Sequence, residues 1–188
     1  MVLFIDACVR DESRTRDLAE YLLKNLNQPV EKIFLPNANI VGLTKEKLNL
    51  RTEACANGEY SLSEFQCAKQ FASADTIVIA APFWDLSFPA MLKEYLEAIC
   101  VTGITFKYSE EGMPVGLCKA KDLYYVTTAG GPILNSIFGY GYIEALAKGM
   151  FGIKNTVMFS AENLDIVGND VEQIMNKSKE IIASSLRR

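Results

Sequence analysis

The chain has 188 residues, of which 49% are hydrophobic and 22% are charged, a composition that predicts a single globular domain over residues 1–188. Its net charge of −4 provides no basic face to neutralise a phosphate backbone, so we expect no nucleic-acid partner. The chain has five scattered cysteines and no histidine. This excludes Ser-His and Cys-His nucleophiles, and we expect no metal site.

The sequence also predicts the location of the protein and its need for a cofactor. No apolar stretch approaches the ~18 residues of a membrane span, and residues 1–6 lack the basic region of a signal peptide. We therefore expect a cytoplasmic protein without membrane insertion. Because histidine, the commonest general base near neutral pH, is missing, a bound organic cofactor is the simplest carrier of difficult chemistry.

Strand and helix patterns alternate along the whole chain. Apolar runs predict strands at residues 2–5, 30–35, 76–81, 123–128 and 156–160. Helical spacing predicts helices over residues 13–26, 91–99 and 171–186 and another around residues 143–150. The less regular segment 36–74 is expected to hold a short helix after Thr44 and a second helix opened by Ser61. This alternation is typical of an α/β fold, in which right-handed crossovers cover both faces of a parallel sheet.

The loop after the first predicted strand has the composition of a phosphate site. Residues 8–16 bring hydroxyls and arginines beside the free amides and the positive dipole end of the first helix. The alternative is that Ser13 simply caps the helix while the arginines are solvated.

Two further loops follow the third and fourth predicted strands. Residues 82–89 hold three aromatic side chains between prolines, which favours docking of a flat apolar ligand; the alternative is a hydrophobic connection buried at a subunit contact. Residues 127–132 contain Gly130 and Gly131, which allow backbone to approach a planar ligand closely. The alternative there is a plain Gly-Gly-Pro turn.

Together these loops resemble those of the FMN-dependent NADH:quinone oxidoreductases and azoreductases of flavodoxin-like fold, some of which have carried the label acyl-carrier-protein phosphodiesterase. The resemblance extends from the first strand into the last. The motifs that carry it are Arg10-x-x-Ser13-Arg14-Thr15, Pro82-Phe83-Trp84-Asp85-Leu86 in place of Pro-Met-Tyr-Asn-Phe, Gly103-Ile104-Thr105-Phe106-Lys107-Tyr108, and Thr128-Ala129-Gly130-Gly131.

The resemblance implies a flavodoxin-like, doubly wound, five-stranded parallel sheet of order 2-1-3-4-5 with helices on both faces. It also implies FMN as cofactor, NAD(P)H as co-substrate, and two-electron hydride transfer through the flavin to a quinone or similar flat acceptor, including azo compounds. The implied cofactor-binding residues are Arg10, Ser13, Arg14 and Thr15 at the phosphate, Pro82, Phe83, Trp84, Asp85 and Leu86 along the isoalloxazine, and Thr128, Ala129, Gly130 and Gly131 at its pyrimidine and ribityl side.

The substrate pocket is expected to include Trp84 and Tyr108. No residue is assigned as catalytic acid or base, because hydride transfer to a flavin depends mainly on stacking geometry and electrostatic support. Relatives pair two-fold, which implies a homodimer that shares its flavin pockets, whereas the alternative is that residues 103–117 pack on their own domain. Asp85 replaces the asparagine of many relatives and would disfavour an anionic reduced flavin.

Two other functions stay open at this point. One is a flavodoxin-type electron carrier that docks a protein partner, and the other is a flavin-binding sensor. Phosphodiesterase activity is not expected, because the sequence offers neither histidine nor metal ligands for hydrolysis.

Overall fold

The computed structural model describes residues 1–187. Its strands are β1 (Val2–Asp6), β2 (Val30–Phe34), β3 (Thr76–Ala80), β4 (Phe106–Tyr108), β5 (Pro114–Gly116), β6 (Asp122–Thr128) and β7 (Asn155–Ala161). Five of them form a parallel sheet in the order β2-β1-β3-β6-β7, while β4 and β5 form a separate antiparallel hairpin. Numbered by its own strands, the parallel sheet has the order 2-1-3-4-5, which confirms the prediction.

Six helices surround this sheet. They are α1 (Arg14–Leu26), α2 (Lys45–Asn57), α3 (Gln66–Ser73), α4 (Ala90–Ile99), α5 (Tyr140–Leu146) and α6 (Val171–Leu186). A π-helical turn, Ala147–Phe151, extends α5, and 3₁₀ turns occupy Leu35–Asn37 and Ser63–Phe65. Helices α1 and α6 contribute to the core on one face of the sheet, and α3, α4 and α5 contribute to the core on the other.

The central strands explain why two cores form. Every residue of β1 and β3 is buried, as expected for parallel strands covered on both faces. Successive side chains of a strand point to opposite faces. Leu3 and Ile77 therefore join the core beside α4, whereas Phe4 and Val78 join the core beside α1.

Two local differences from the sequence expectations have clear causes. The helix expected after Thr44 is longer than a short turn, because α2 runs for 13 residues and the Thr44 side chain caps it by accepting from the Lys47 amide at 3.3 Å. The next helix starts at Gln66 and not at Ser61, because Ser63–Phe65 first forms a 3₁₀ turn.

The β4–β5 hairpin is held to the domain at its base. Thr105 is fully buried, and its hydroxyl donates to the Ile99 carbonyl at 2.7 Å. A Cβ at Gly116 would lie 2.2 Å from backbone atoms of Phe151 and Gly152, so only glycine allows this approach. No helix within residues 1–187 has the length and apolar character needed to cross a membrane.

Candidate functional site

A cavity of about 680 Å³ opens at the carboxyl ends of the sheet strands, beyond β1, β3, β6 and β7. This volume lies within the range of small-molecule and cofactor sites, and the position is the usual one for ligands of open α/β sheets. The residues that line it are Cys8, Val9, Arg10, Glu12, Ser13, Arg14, Thr15, Asp17, Pro82, Phe83, Trp84, Thr128, Ala129, Gly130, Leu164, Asp165 and Met175.

The loop between β1 and α1 presents free backbone donors to this cavity. Ser13 is the N-cap of α1, and its side chain accepts from the Arg16 amide at 3.3 Å. Among the described residues, the amides of residues 9 to 13 donate to no protein acceptor. Unpaired amides at the positive end of a helix dipole form a site for an anion such as a phosphate.

A buried carboxylate lies behind this loop. Asp6 is 0% exposed and accepts from Arg16 Nε at 2.7 Å and from Lys32 Nζ at 2.9 Å. Its other oxygen accepts from the Cys8 amide at 3.0 Å. Burial alone raises the pKa of Asp6, but donation from Lys32, Arg16 and Cys8 outweighs burial and holds the pKa below its usual 3.8.

The loops after β6 and β7 meet at the opposite wall of the cavity. The Asp165 amide donates to the Gly130 carbonyl at 2.9 Å, and the Asp165 carboxylate accepts from Arg14 Nη1 at 2.9 Å. A Cβ at Gly130 would lie 2.4 Å from Asp165 Oδ2. Gly130 therefore makes room for a carboxylate that reaches across to the first turn of α1.

The loop after β3 ends in a tight turn beside the cavity. Trp84 and Ser87 exchange backbone hydrogen bonds of 3.1 and 2.7 Å, and the central residues Asp85 and Leu86 have φ angles of 51° and 66°. Two consecutive positive φ values are those of a type I′ turn, which usually contains Asn and Gly. The Ser87 hydroxyl donates to the Phe138 carbonyl at 2.7 Å, so a second loop braces the turn.

The structure brings together ten of the residues that the sequence predicted to bind cofactor. These are Arg10, Ser13, Arg14, Thr15, Pro82, Phe83, Trp84, Thr128, Ala129 and Gly130. Asp85, Leu86 and Gly131 lie next to the cavity along the chain but do not line it, and Tyr108 lies on the hairpin with 58% of its surface exposed. Contacts of all fourteen residues with flavin or substrate stay predictions.

Several lining residues were missing from the sequence prediction, among them Leu164 and Asp165. Their position in the sequence could have predicted this, because both residues follow the last strand of the parallel sheet. The loop after that strand reaches the same edge of the sheet as the other three loops. Cys8 also lines the cavity, and burial raises the pKa of its thiol to about 12. Residues 1–187 contain no cluster of three or more His, Cys, Asp or Glu side chains arranged to hold a metal ion.

Comparison with known proteins gives the following matches. A family model described as flavodoxin-like fold matches residues 1–186. The chain is 39% identical over 191 residues to FMN-dependent NADH:quinone oxidoreductase 2 of Clostridium acetobutylicum, a match that covers 95% of this chain and 94% of the relative. It is 35% identical over 188 residues to FMN-dependent NADH:quinone oxidoreductase of Clostridium perfringens, with 95% and 94% covered.

The fold is also similar to that of solved structures. An azoreductase from Bacillus anthracis str. Sterne superimposes with a TM-score of 0.83 at 24% identity, over 98% of this chain and 97% of the other. At this level of identity the match supports the fold alone.

Proposed function

The chain belongs to the flavodoxin-like fold family, and we propose that within it this protein is an FMN-dependent NAD(P)H oxidoreductase that delivers two electrons to a quinone or a similar flat acceptor, azo compounds included. The observation that carries the proposal is the cavity, which joins an amide-rich loop at a helix N-terminus to an aromatic wall. The relatives named as FMN-dependent NADH:quinone oxidoreductases align with nearly the full chain, which supports the proposal.

The residues present fit FMN at both ends of the cavity. The free amides of residues 9 to 13, with Arg10 and Arg14, offer donors and positive charge to a phosphate. Phe83 and Trp84 offer apolar surface to a flat ring in the same cavity. The chain has one such phosphate loop and no Gly-x-Gly-x-x-Gly turn, which favours FMN over FAD.

The chain's own contribution to the reaction is binding and orientation. Bound FMN would supply a centre that accepts a hydride from NAD(P)H and passes it on. Trp84 lies at the mouth of the cavity with 39% of its surface exposed, where it would contact the nicotinamide and then the acceptor. We assign no side chain as acid or base, since positioning and electrostatic support account for this kind of transfer.

We further propose a homodimer in which the hairpin carries Tyr108 to the flavin of the partner subunit. Phe106 is 5% exposed and anchors the hairpin in its own domain, whereas Tyr108 and Met113 are 58% and 64% exposed. The hairpin therefore has one buried side and one apolar side that faces outwards. A two-fold contact would bury such a patch on both copies at once.

The net charge and the free cysteines of the chain bear on its partners and its location. A net charge of −4 favours a small-molecule acceptor over nucleic acid. The free thiols of Cys8, Cys55, Cys67, Cys100 and Cys118 are compatible with a reducing cytoplasm.

One spectroscopic experiment distinguishes an enzyme from an electron carrier. Purified protein is loaded with FMN, and its absorption is recorded before and after anaerobic addition of NADH or NADPH. We expect bleaching of the flavin band by the pyridine nucleotide and its return on addition of a benzoquinone. A flavin that binds but stays oxidised with both nucleotides would favour the carrier, and a protein that binds only FAD would contradict the cofactor assignment.

A further inference from the structure

Arg16 does not line the cavity. It nevertheless forms more hydrogen bonds with the loop between β1 and α1, here called the phosphate loop, than any of the predicted phosphate ligands Arg10, Ser13, Arg14 and Thr15. Its Nη1 donates to the carbonyls of Arg10 and Asp11, each at 2.9 Å, and its Nη2 donates to the carbonyl of Cys8. Its Nε donates to the buried Asp6 carboxylate. One guanidinium thus ties three peptide units of the loop to the end of β1.

The orientation of these three peptide units has a consequence for the amides. In a planar trans peptide, the carbonyl of one residue and the N–H of the next point in opposite directions. The carbonyls of residues 8, 10 and 11 point at the guanidinium, so the N–H groups of residues 9, 11 and 12 point away from it. Residues 9 and 12 line the cavity, whereas residue 11 and Arg16 do not.

From this geometry we propose that Arg16 is a positioning residue that turns the loop into an anion-binding nest, without itself touching the anion. These four hydrogen bonds use four of the five N–H groups of the guanidinium, and Arg16 does not line the cavity. Arg10 and Arg14, by contrast, line the cavity, where Arg14 also pairs with Asp165 through Nη1. The inference rests on the proposed FMN site and adds to it the residue that shapes its phosphate end.

The guanidinium is itself fixed by charge and by packing. Asp6 is 0% exposed and also binds Lys32, so the carboxylate is held from two sides. The Arg16 Cζ lies 5.2 Å from the centre of the Phe34 ring, which supports the planar group from β2. A lysine at position 16 keeps the charge beside Asp6 but cannot span three carbonyls, because its single ammonium lacks the planar fork of arginine.

Comparing FMN with riboflavin isolates this role, because riboflavin has the same ring and ribityl chain but no phosphate. Dissociation constants for both flavins are measured in the wild type and in Arg16→Gln and Arg16→Lys. We expect both variants to lose about ten-fold or more of the preference for FMN, while riboflavin binds as in the wild type. Arg16→Lys serves where Arg16→Gln fails to fold.

Arg51 supplies the matched control. It is a buried arginine that, like Arg16, binds backbone carbonyls, those of Glu97 at 3.1 Å and Cys100 at 2.8 Å, outside the cavity wall. Arg51→Gln is expected to lower the thermal midpoint while keeping the wild-type preference for FMN. The inference is overturned if Arg16→Lys keeps the full preference, or if Arg51→Gln loses it equally. A wild type that binds neither flavin would instead contradict the proposed function, and the inference with it.

Discussion

The hydroxyl groups of Thr15 and Thr128 lie 2.6 Å apart and join the first turn of α1 to the end of β6. Thr15 is 1% exposed, so its hydroxyl is shielded from solvent. The contact fixes the distance between the phosphate loop and the glycine-containing wall of the cavity.

Replacing Thr15 tests this link directly. Thr15→Val removes the hydroxyl but keeps the shape, so we expect a loss of about 1 kcal/mol in the free energy of unfolding and weaker FMN binding. Thr15→Ser retains the hydroxyl and should bind FMN like the wild type. Urea unfolding and flavin titration measure the two effects, and equal behaviour of the valine and serine variants would contradict a role for the hydrogen bond.

Gly130 and Gly131, in the loop after β6, allow the same substitution to be compared at two adjacent positions. In Gly130→Ala the new methyl group would meet the Asp165 carboxylate, whose exposed side chain can swing aside at the cost of its pair with Arg14. We expect a folded protein whose affinity for FMN falls by about ten-fold. Gly131→Ala has nothing within 4 Å of the new Cβ, so its thermal midpoint should stay unchanged and its flavin affinity should fall less. Equal losses of affinity in both variants would exclude the contact with Asp165 as the cause.

The dimer proposal predicts a specific effect at Tyr108. Tyr108→Asp places a charge on an exposed side chain, so the monomer should fold normally while the dimer dissociates and quinone reductase activity falls. Light scattering and activity are measured on the same samples. Tyr108→Phe keeps the apolar ring and should remain dimeric. Phe106→Asp is unsuitable, because Phe106 is buried and a charge there would unfold the domain. A wild-type monomer with full activity would contradict the shared site.

The backbone of the turn at residues 84–87 predicts that replacing Leu86 by glycine costs less stability than such a replacement does elsewhere. Leu86 has a φ of 66°, which costs a leucine about 1 kcal/mol relative to glycine. Leu134 is also exposed but has no positive φ. Leu86→Gly should therefore be about 1 kcal/mol more favourable for stability than Leu134→Gly, because only the first substitution relieves strain. Urea unfolding of both variants provides the measurement, and a greater loss of stability at Leu86 would show that its side chain makes contacts that outweigh the strain.

The depressed pKa of Asp6 predicts a pH dependence of stability. A carboxyl whose pKa is lower in the folded state stabilises the fold above its ordinary pKa, here 3.8, and loses that contribution as the pH falls through the folded value. Lys32→Gln removes one of its partners and should cost about 1.5 kcal/mol at pH 7, a difference that narrows below pH 3.8.

A second lysine provides the control for the pH experiment. Lys24 is exposed and forms no ion pair within residues 1–187, so Lys24→Gln should be neutral at both pH values. A loss in Lys32→Gln that did not depend on pH would assign the effect to the cation–π contacts of Lys32 with Phe4 and Phe34 and not to the charge of Asp6.

The sequence predicted the sheet well and the hairpin poorly, for a physical reason. Strands such as β1 and β3 are buried on both faces and therefore appear in the sequence as continuous apolar runs. Their order in the sheet was implied by the family resemblance alone. Strands β4 and β5 have three residues each, too few to show a periodicity.

The sequence predicted the loops that form the site, but it could not distinguish the roles of their arginines. Arg10, Arg14 and Arg16 occupy one short stretch and look alike in composition. Only the three-dimensional path of the loop shows that two of them line the cavity while Arg16 binds carbonyls behind it. Asp165 is distant in sequence and reaches the cavity because it lies in the loop between β7 and α6.

The burial of Cys8 has a chemical consequence for an enzyme of this kind. Quinones are electrophiles that alkylate thiolates, and a cysteine in the wall of a quinone-reducing cavity is therefore exposed to attack by the substrate. With its pKa raised to about 12, the Cys8 thiol stays protonated at pH 7 and offers little thiolate to an electrophile. Burial raises the pKa of the thiols of Cys67, Cys100 and Cys118 as well. The fold thereby gives these four thiols a built-in resistance to alkylation by the compounds that the enzyme consumes.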